Sequence, residues 1–369
     1  MHELIASPFL DDFLVLRLGN GSGVKISPNR YEELKQATER GADAPGWLVD
    51  AARRAWQLNV AHRPAAETIL VRPTSHLGYA RASWEINKGC DYDCDHCYLG
   101  LKRFEGLSWD NKVRLLGIFR DAGVLWLQIT GGEPLIDKDF PATYAHAYDL
   151  GMMVAISSNG SQLSKPKILD CFTDRRPYRI TLSVYGVTAE SYETFTRSRG
   201  SFGRFTRGLD AAREANLPVR LNIIISKHNA HEADHMRAMA ERYGFPHQIY
   251  TNMSPTIDGS GEPLPTQAED FLRKRRPFSG CNAGHTFFHA DPFGHASICK
   301  VGRDPNIDLM AEGVEGLRGL GDIADSLMLR TGGCSGCQLA GTCWTCRPLA
   351  KLYQEAKAPL HTYCQHGGR

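Results

Sequence analysis

Eleven cysteines in a chain of 369 residues are the first pointer to chemistry. Cys90-x3-Cys94-x2-Cys97 puts three thiols on one short loop, and Gly89 in front of them lets the backbone turn. Soft thiolates select zinc, copper(I) or iron–sulfur clusters. A structural zinc site wants a closed shell of four ligands, whereas a cubane held by three cysteines leaves one iron open to bind something else. The zinc alternative needs His96 as its fourth ligand, and a side chain wedged between two ligands does not easily face the same metal. A second group reads Cys281, Cys299, Cys334-x2-Cys337-x5-Cys343-x2-Cys346 and Cys364. Two close pairs can form a zinc ribbon, but seven thiols are too many for one zinc and too few for two closed four-cysteine sites. Cys171 stands alone in an apolar helical context and reads as a small core residue.

The elements that must position these thiols follow from periodicity. Short apolar runs occur at Ser83–Asn87, Leu125–Thr130, Met152–Ser157, Arg179–Val184, Val219–Ser226 and Gln248–Asn252. Helical stretches lie between them at Trp109–Ala122, Asp139–Leu150, Lys165–Asp170, Phe205–Ala215 and Ala230–Arg242. Strand-then-helix units in this order imply a parallel sheet with helices outside, either a partial barrel or a doubly wound sheet. Ahead of them, Phe13–Leu18 and Gly23–Ser27 flank an Asn20-Gly21 turn as a hairpin, and helices follow from Tyr31 to Arg40 and from Pro45 to Trp56. His62–Pro73 reads as a linker. Past Gly280 the periodicity fades and only Pro348–Lys357 looks helical, so that segment needs staples to fold. The expected divisions are 1–75, 80–255 and 275–369.

Composition excludes several classes. With 42% hydrophobic and 23% charged residues the chain reads as soluble and globular. Net charge is only +2, and the one basic block, Arg273-Lys274-Arg275-Arg276, reads as a solvated helix face, so no nucleic-acid partner is expected. No apolar run approaches the roughly eighteen residues of a membrane span. The N-terminus has no basic start and does not read as a secretory signal, which places the chain in the cytoplasm. Thiols stay reduced there, so ligation rather than disulfide bonding explains the cysteines. His228, His231 and His235 read as a polar helix face.

Cys90-x3-Cys94-x2-Cys97-Tyr98 resembles the signature of the radical S-adenosylmethionine (SAM) superfamily. Thr130-Gly131-Gly132-Glu133-Pro134 resembles that superfamily's motif for the methionine part of SAM. Ser157-Ser158-Asn159-Gly160 and Thr181-Leu182-Ser183-Val184-Tyr185-Gly186 end the third and fourth strands. All of these lie at C-terminal strand ends, where parallel α/β folds place their sites. The resemblance implies a partial (β/α)6 barrel that reduces SAM to a 5′-deoxyadenosyl radical. It implies that Gly131, Gly132 and Glu133 hold the methionyl amine, with Glu133 as acceptor. Ser157, Asn159 and Ser183 would touch the ribose or carboxylate, Tyr98 would lie near the adenine, and Arg197 is a weaker candidate for the carboxylate.

The second cysteine group resembles the SPASM extension of that superfamily, which carries two auxiliary 4Fe–4S clusters. By that resemblance Cys281, Cys299 and Cys346 ligate the nearer cluster, and Cys334, Cys337, Cys343 and Cys364 the farther one. Two departures stand out: a gap of two rather than three before Cys346, and no cysteine shortly before Cys281, which leaves the nearer cluster one protein ligand short. Relatives with this extension mostly act on ribosomally made peptides or on protein side chains. The N-terminal module resembles the winged-helix element that grips a leader peptide, and its plainer reading is a cap over the barrel. The expected reaction is an oxidative carbon–carbon or carbon–sulfur crosslink in a precursor peptide, fed by a donor such as flavodoxin or ferredoxin. The rivals are oxidation of a protein side chain, as in sulfatase maturation, or of a small molecule, and a non-catalytic metal scaffold. No residue stands out as general base.

Overall fold

A computed structural model describes residues 2–100, 102–272, 281–327, 334, 337, 343 and 345–364. The basic run at 273–276 lies outside the described residues. The chain opens with β1 (Leu4–Phe9), β2 (Asp12–Arg17) and β3 (Gly23–Ile26), then α1 (Pro28–Glu39), α2 (Gly46–Trp56), α3 (Ala65–Thr68) and β4 (Ile69–Val71). Ser27 caps α1 by accepting from the Arg30 amide, and Pro28 supplies the fixed φ of its first turn. These strands form one sheet in the order β3-β2-β1-β4. The expected hairpin is there as β2 and β3, but two strands escape the sequence reading. β1 is one of them. The other, β4, lies inside the expected linker and pairs in parallel with β1.

The second sheet takes β5 (Arg81–Glu85), β6 (Trp126–Thr130), β7 (Met153–Ser158), β8 (Arg179–Val184), β9 (Val219–Ile224) and β10 (His247–Tyr250), all parallel. In β8 buried and half-buried residues alternate strictly, which is the period of a strand with two different faces. The intervening helices are α4 (Trp109–Asp121), α5 (Phe140–Asp149), α6 (Pro166–Asp174), α7 (Ala189–Thr196), α8 (Ser201–Glu214) and α9 (Ala233–Tyr243). α7 is unforeseen because it spans only eight residues, too few for a visible period; Thr188 caps it. Ala230–Glu232 is a separate 3-10 turn. His228, His231 and His235 therefore do not share one helix face, contrary to the sequence reading.

The C-terminal part is more regular than its sequence implies. β11 (Phe287–Ala290) pairs in parallel with β5, and β12 (His295–Ser297) and β13 (Ile307–Asp308) extend the sheet to nine strands in the order β10-β9-β8-β7-β6-β5-β11-β12-β13. The segment 275–369 is thus not self-contained, since it donates a seventh parallel strand to the main sheet. α10 (Leu309–Glu312), α11 (Leu320–Leu327), α12 (Arg347–Glu355) and α13 (Leu360–Tyr363) complete it. Ile5 and Leu16 of the first sheet share an apolar cluster with Leu125 and Met153, so the N-terminal module is packed onto the strand N-termini of the main sheet. Side chains from all seven parallel strands line one cavity of about 780 Å3. Among the described residues no helix is long and apolar enough to cross a membrane.

Candidate functional site

The loop that leaves β5 carries Cys90, Cys94 and Cys97, and the neighbouring strand ends clamp it. The Gly132 amide donates to the Asn87 carbonyl at 3.0 Å and the Glu133 amide to the Gly89 carbonyl at 2.8 Å. These contacts explain the paired glycines. A Cβ on Gly132 would lie 2.1 Å from the Gly89 carbonyl oxygen, and one on Gly131, whose φ is +142°, would lie 2.3 Å from that of Asn87. Farther along the loop, Asp91 accepts from the Asn159 side-chain amide at 2.8 Å and from Gln162 at 3.3 Å. Lys102 donates to the Tyr92 carbonyl and to Asp93. The Asp93 amide reaches the Thr196 carbonyl at the end of α7.

The three thiols are unpaired and partly buried. Burial pushes the Cys90 thiol up to about 12, and it holds Cys94 well above the ordinary thiol range with the help of neighbouring Cys97. Ionising three such thiols side by side is costly unless a cationic group neutralises them. That donor set fits a thiolate-bound iron–sulfur cluster. It does not fit the zinc alternative, because the His96 imidazole packs between Tyr185 and Phe195, at centroid distances of 5.3 and 4.8 Å. Among the described residues no three His, Cys, Asp or Glu side chains gather as ligands of a single ion.

The SAM-contact residues expected from sequence fall into two groups. Gly131, Gly132, Ser157, Asn159 and Ser183 lie at or next to the C-terminal ends of β6, β7 and β8. The Ser157 hydroxyl accepts from Gln128 at 2.7 Å. Tyr98 sits behind Cys97, with its hydroxyl 3.0 Å from Glu85. Glu133 also ties the strand ends together. Its carboxylate is fully buried and accepts from the Ser158 hydroxyl (2.7 Å), the Asn159 amide (2.6 Å) and the Leu135 amide (3.0 Å), tying the second strand end to the third. Burial nonetheless raises its pKa to about 8. Arg197 pairs with Asp95 between the second and third cysteines and is 59% exposed, so its guanidinium serves the loop. His228 approaches Asp95 at 3.5 Å, which makes it a neighbour of the loop as well.

A buried hub escaped the sequence reading altogether. Glu85, at the end of β5, receives both Arg303 nitrogens at 3.0 and 2.7 Å as well as the Tyr98 hydroxyl. His289 from β11 lies 3.6 Å away and bonds Ser83 through its other nitrogen. Burial opposes ionisation of Glu85, yet His289 and Arg303 together hold its carboxyl far below the ordinary range. Arg303 follows Cys299 by four residues, so this hub fastens the first thiol loop to a thiol of the C-terminal group. Nothing in local sequence pairs residues 218 positions apart.

Cys299 is raised by burial, and the nearby Cys281 adds to the shift; Cys299 also accepts the Gly302 amide at 3.3 Å. Cys346 precedes α12 as its cap residue. Cys334 and Cys364 pack against the small apolar cluster of Ala350, Tyr353 and Tyr363. The Cys337 amide bonds the Cys334 carbonyl, and Arg347 donates to Cys343 at 2.7 Å.

Residues 84–240 match the Radical SAM superfamily, and this segment is a radical SAM domain. The chain is 28% identical over 240 residues to the mycofactocin maturase MftC of Mycobacterium ulcerans, covering 60% of this chain and 63% of that one. It is 28% identical over 166 residues to an AdoMet-dependent heme synthase of Methanosarcina barkeri, covering 44% and 47%. The matched part thus spans about half the length of the heme synthase and under two thirds of the maturase. The fold resembles that of Streptococcus suis SuiB bound to its precursor peptide SuiA, with a TM-score of 0.60, 14% identity and 93% of each chain covered.

Proposed function

Taking residues 84–240 as a radical SAM domain, we propose that this chain oxidatively modifies a ribosomally made precursor peptide, forming a carbon–carbon or carbon–sulfur crosslink. The observation that carries the reading is the clamped three-thiol loop at the C-terminal ends of parallel strands. When bound, a 4Fe–4S cluster and SAM supply one-electron cleavage of the sulfonium to a 5′-deoxyadenosyl radical that abstracts hydrogen. Cys90, Cys94 and Cys97 hold that cluster. The backbone at Gly131 and Gly132 frames the methionyl part of SAM. Glu133, with three of its roughly four acceptor positions already filled, chiefly fixes the frame and offers the last one to the amine. Ser157, Asn159 and Ser183 face the ribose and carboxylate, and Tyr98 the adenine.

The curled seven-strand wall around the cavity supports a partial barrel as the reaction chamber. Cys281, Cys299 and Cys346 would hold a nearer auxiliary cluster, and Cys334, Cys337, Cys343 and Cys364 a farther one; such clusters would supply one-electron redox capacity. A cytoplasmic flavodoxin or ferredoxin fits as electron source. Among the described residues β3 borders only β2, so its outer edge can take a leader peptide as an added strand. A peptide substrate is favoured over a small molecule because the likeness to the peptide maturase runs over 240 residues and that to the heme synthase over 166.

The test is anaerobic incubation of the iron-loaded protein with SAM, reductant and the short peptide encoded beside its gene. The expected product has lost a pair of hydrogens and carries a new crosslink in its fragment spectrum. An unchanged peptide, alongside turnover of a small molecule, would refute the reading. Iron analysis should return about twelve irons per chain, four for each of three clusters.

A further inference from the structure

The cavity enclosed by the main sheet has two chemically different ends. Its upper wall reaches Ser157, one residue before the Ser158 that binds Glu133. Its lower rim is made by the strand starts and carries Arg81, Arg179 and Arg220. Among the described residues no Asp or Glu lines this cavity. Among the described residues none of the three guanidiniums has an ion pair or a hydrogen-bond acceptor. Elsewhere the chain's arginines find carboxylates readily, as in Arg63–Glu3, Arg175–Asp149 and Arg318–Glu315. Three unpaired guanidiniums around one opening, in a chain of net charge only +2, are therefore not a by-product of a basic surface.

Two of the three are also oriented. Arg81 lies over the rings of Phe9 and Trp126 at 6.0 and 5.7 Å, and Arg179 over Tyr178 at 5.0 Å. Stacking on an aromatic face holds the planar fork in place while leaving its edge donors free, which is the geometry that suits bidentate carboxylate recognition. Phe9 ends β1 and Leu10 begins the turn into β2, so the N-terminal module borders the same opening. Deeper inside, the Asn222 side-chain oxygen is buried without a hydrogen-bond donor among the described residues and is free to accept a peptide N–H.

We infer that this rim selects an acidic peptide segment: Asp or Glu side chains of the substrate bind Arg81, Arg179 and Arg220 while the segment enters the cavity toward the thiol loop. This rests on the peptide reading above and adds the charge of the segment and the residues that choose it.

The test is fluorescence anisotropy with the full-length iron-loaded protein. The probes are a fluorescein-labelled peptide bearing three glutamates and its isostere bearing three glutamines. The glutamate peptide should bind at least about tenfold more tightly, as expected when charge-assisted pairs form. The preference should shrink with added salt. It should vanish in the triple variant Arg81→Gln, Arg179→Gln, Arg220→Gln. Single Arg179→Gln and Arg220→Gln variants keep the test alive should the triple one not fold, and each should lose part of the preference. Equal binding of the two peptides by the parent protein, or a preference that survives all substitutions, would overturn the inference. Peptide-independent release of 5′-deoxyadenosine reads the underlying reaction separately. Its absence from the parent protein would defeat the radical reading, and its persistence in the arginine variants shows that only peptide selection was touched.

Discussion

The first thiol loop and the C-terminal thiols are built from the same residue type and held in opposite ways. Around Cys90, Cys94 and Cys97 the protein supplies the scaffold: backbone bonds from the Gly132 and Glu133 amides, a carboxylate clip at Glu133, and Asp91 gripped by Asn159 and Gln162. Around Cys334 and Cys364 the described residues supply a small apolar cluster of Ala350, Tyr353 and Tyr363. A site made before its cofactor arrives can tune it; a segment whose described residues form so small a core is expected to lean on ligation to fold. The Glu85–Arg303 pair is the rivet between the two.

Removing iron breaks this contrast open most widely. Anaerobic chelation should raise protease cleavage within 334–364 at least about tenfold while the strands from β5 to β10 stay protected, as read by mass spectrometry of the fragments. Equal protection of both regions would remove the contrast. Next in size is Arg303→Met, which leaves the buried Glu85 carboxylate without its main partner and should cost about 3–5 kcal/mol in denaturant unfolding. Glu85 also fixes the sign of a pH effect. Its pKa is depressed in the folded state, so its contribution is present above the ordinary value of 4.5 and is lost as pH falls below it. The difference between parent and Arg303→Met should accordingly narrow on acidification.

Gly132→Ala sharpens the claim that the first loop is preformed. With no room beside the Gly89 carbonyl, the added methyl should cost about 1–3 kcal/mol and lower the iron bound at the triad. Smallest is Arg197→Ala. Because that guanidinium is 59% exposed, its loss should change stability by no more than about 1 kcal/mol.

The same contrast governs what the sequence discloses. The parallel strands were legible because each is a short apolar run between helical periods, and the strand-end motifs were legible because chemistry concentrates there. β1 and β4 were missed because their pairing is set by tertiary contact: β4 is three residues long and sits among prolines that look like a linker. β11 belongs to the main sheet only because Phe287 finds Arg81 across more than two hundred residues. The Glu133 side chain carries the expected motif, yet its three donors are set by the ends of two strands. The Arg81, Arg179 and Arg220 rim is invisible in one dimension, since each arginine merely stands at or next to the start of a different strand.

The central claim is that the Cys90, Cys94 and Cys97 loop holds a cluster able to cleave SAM reductively. The most direct measurement is 5′-deoxyadenosine released from SAM by the anaerobically reconstituted, reduced protein, compared with Cys90→Ala, Cys94→Ala and Cys97→Ala variants. The account predicts release by the parent protein and none by any of the three. Release that persists in the variants, or a parent protein whose thiols hold only zinc and yield no 5′-deoxyadenosine, would contradict it.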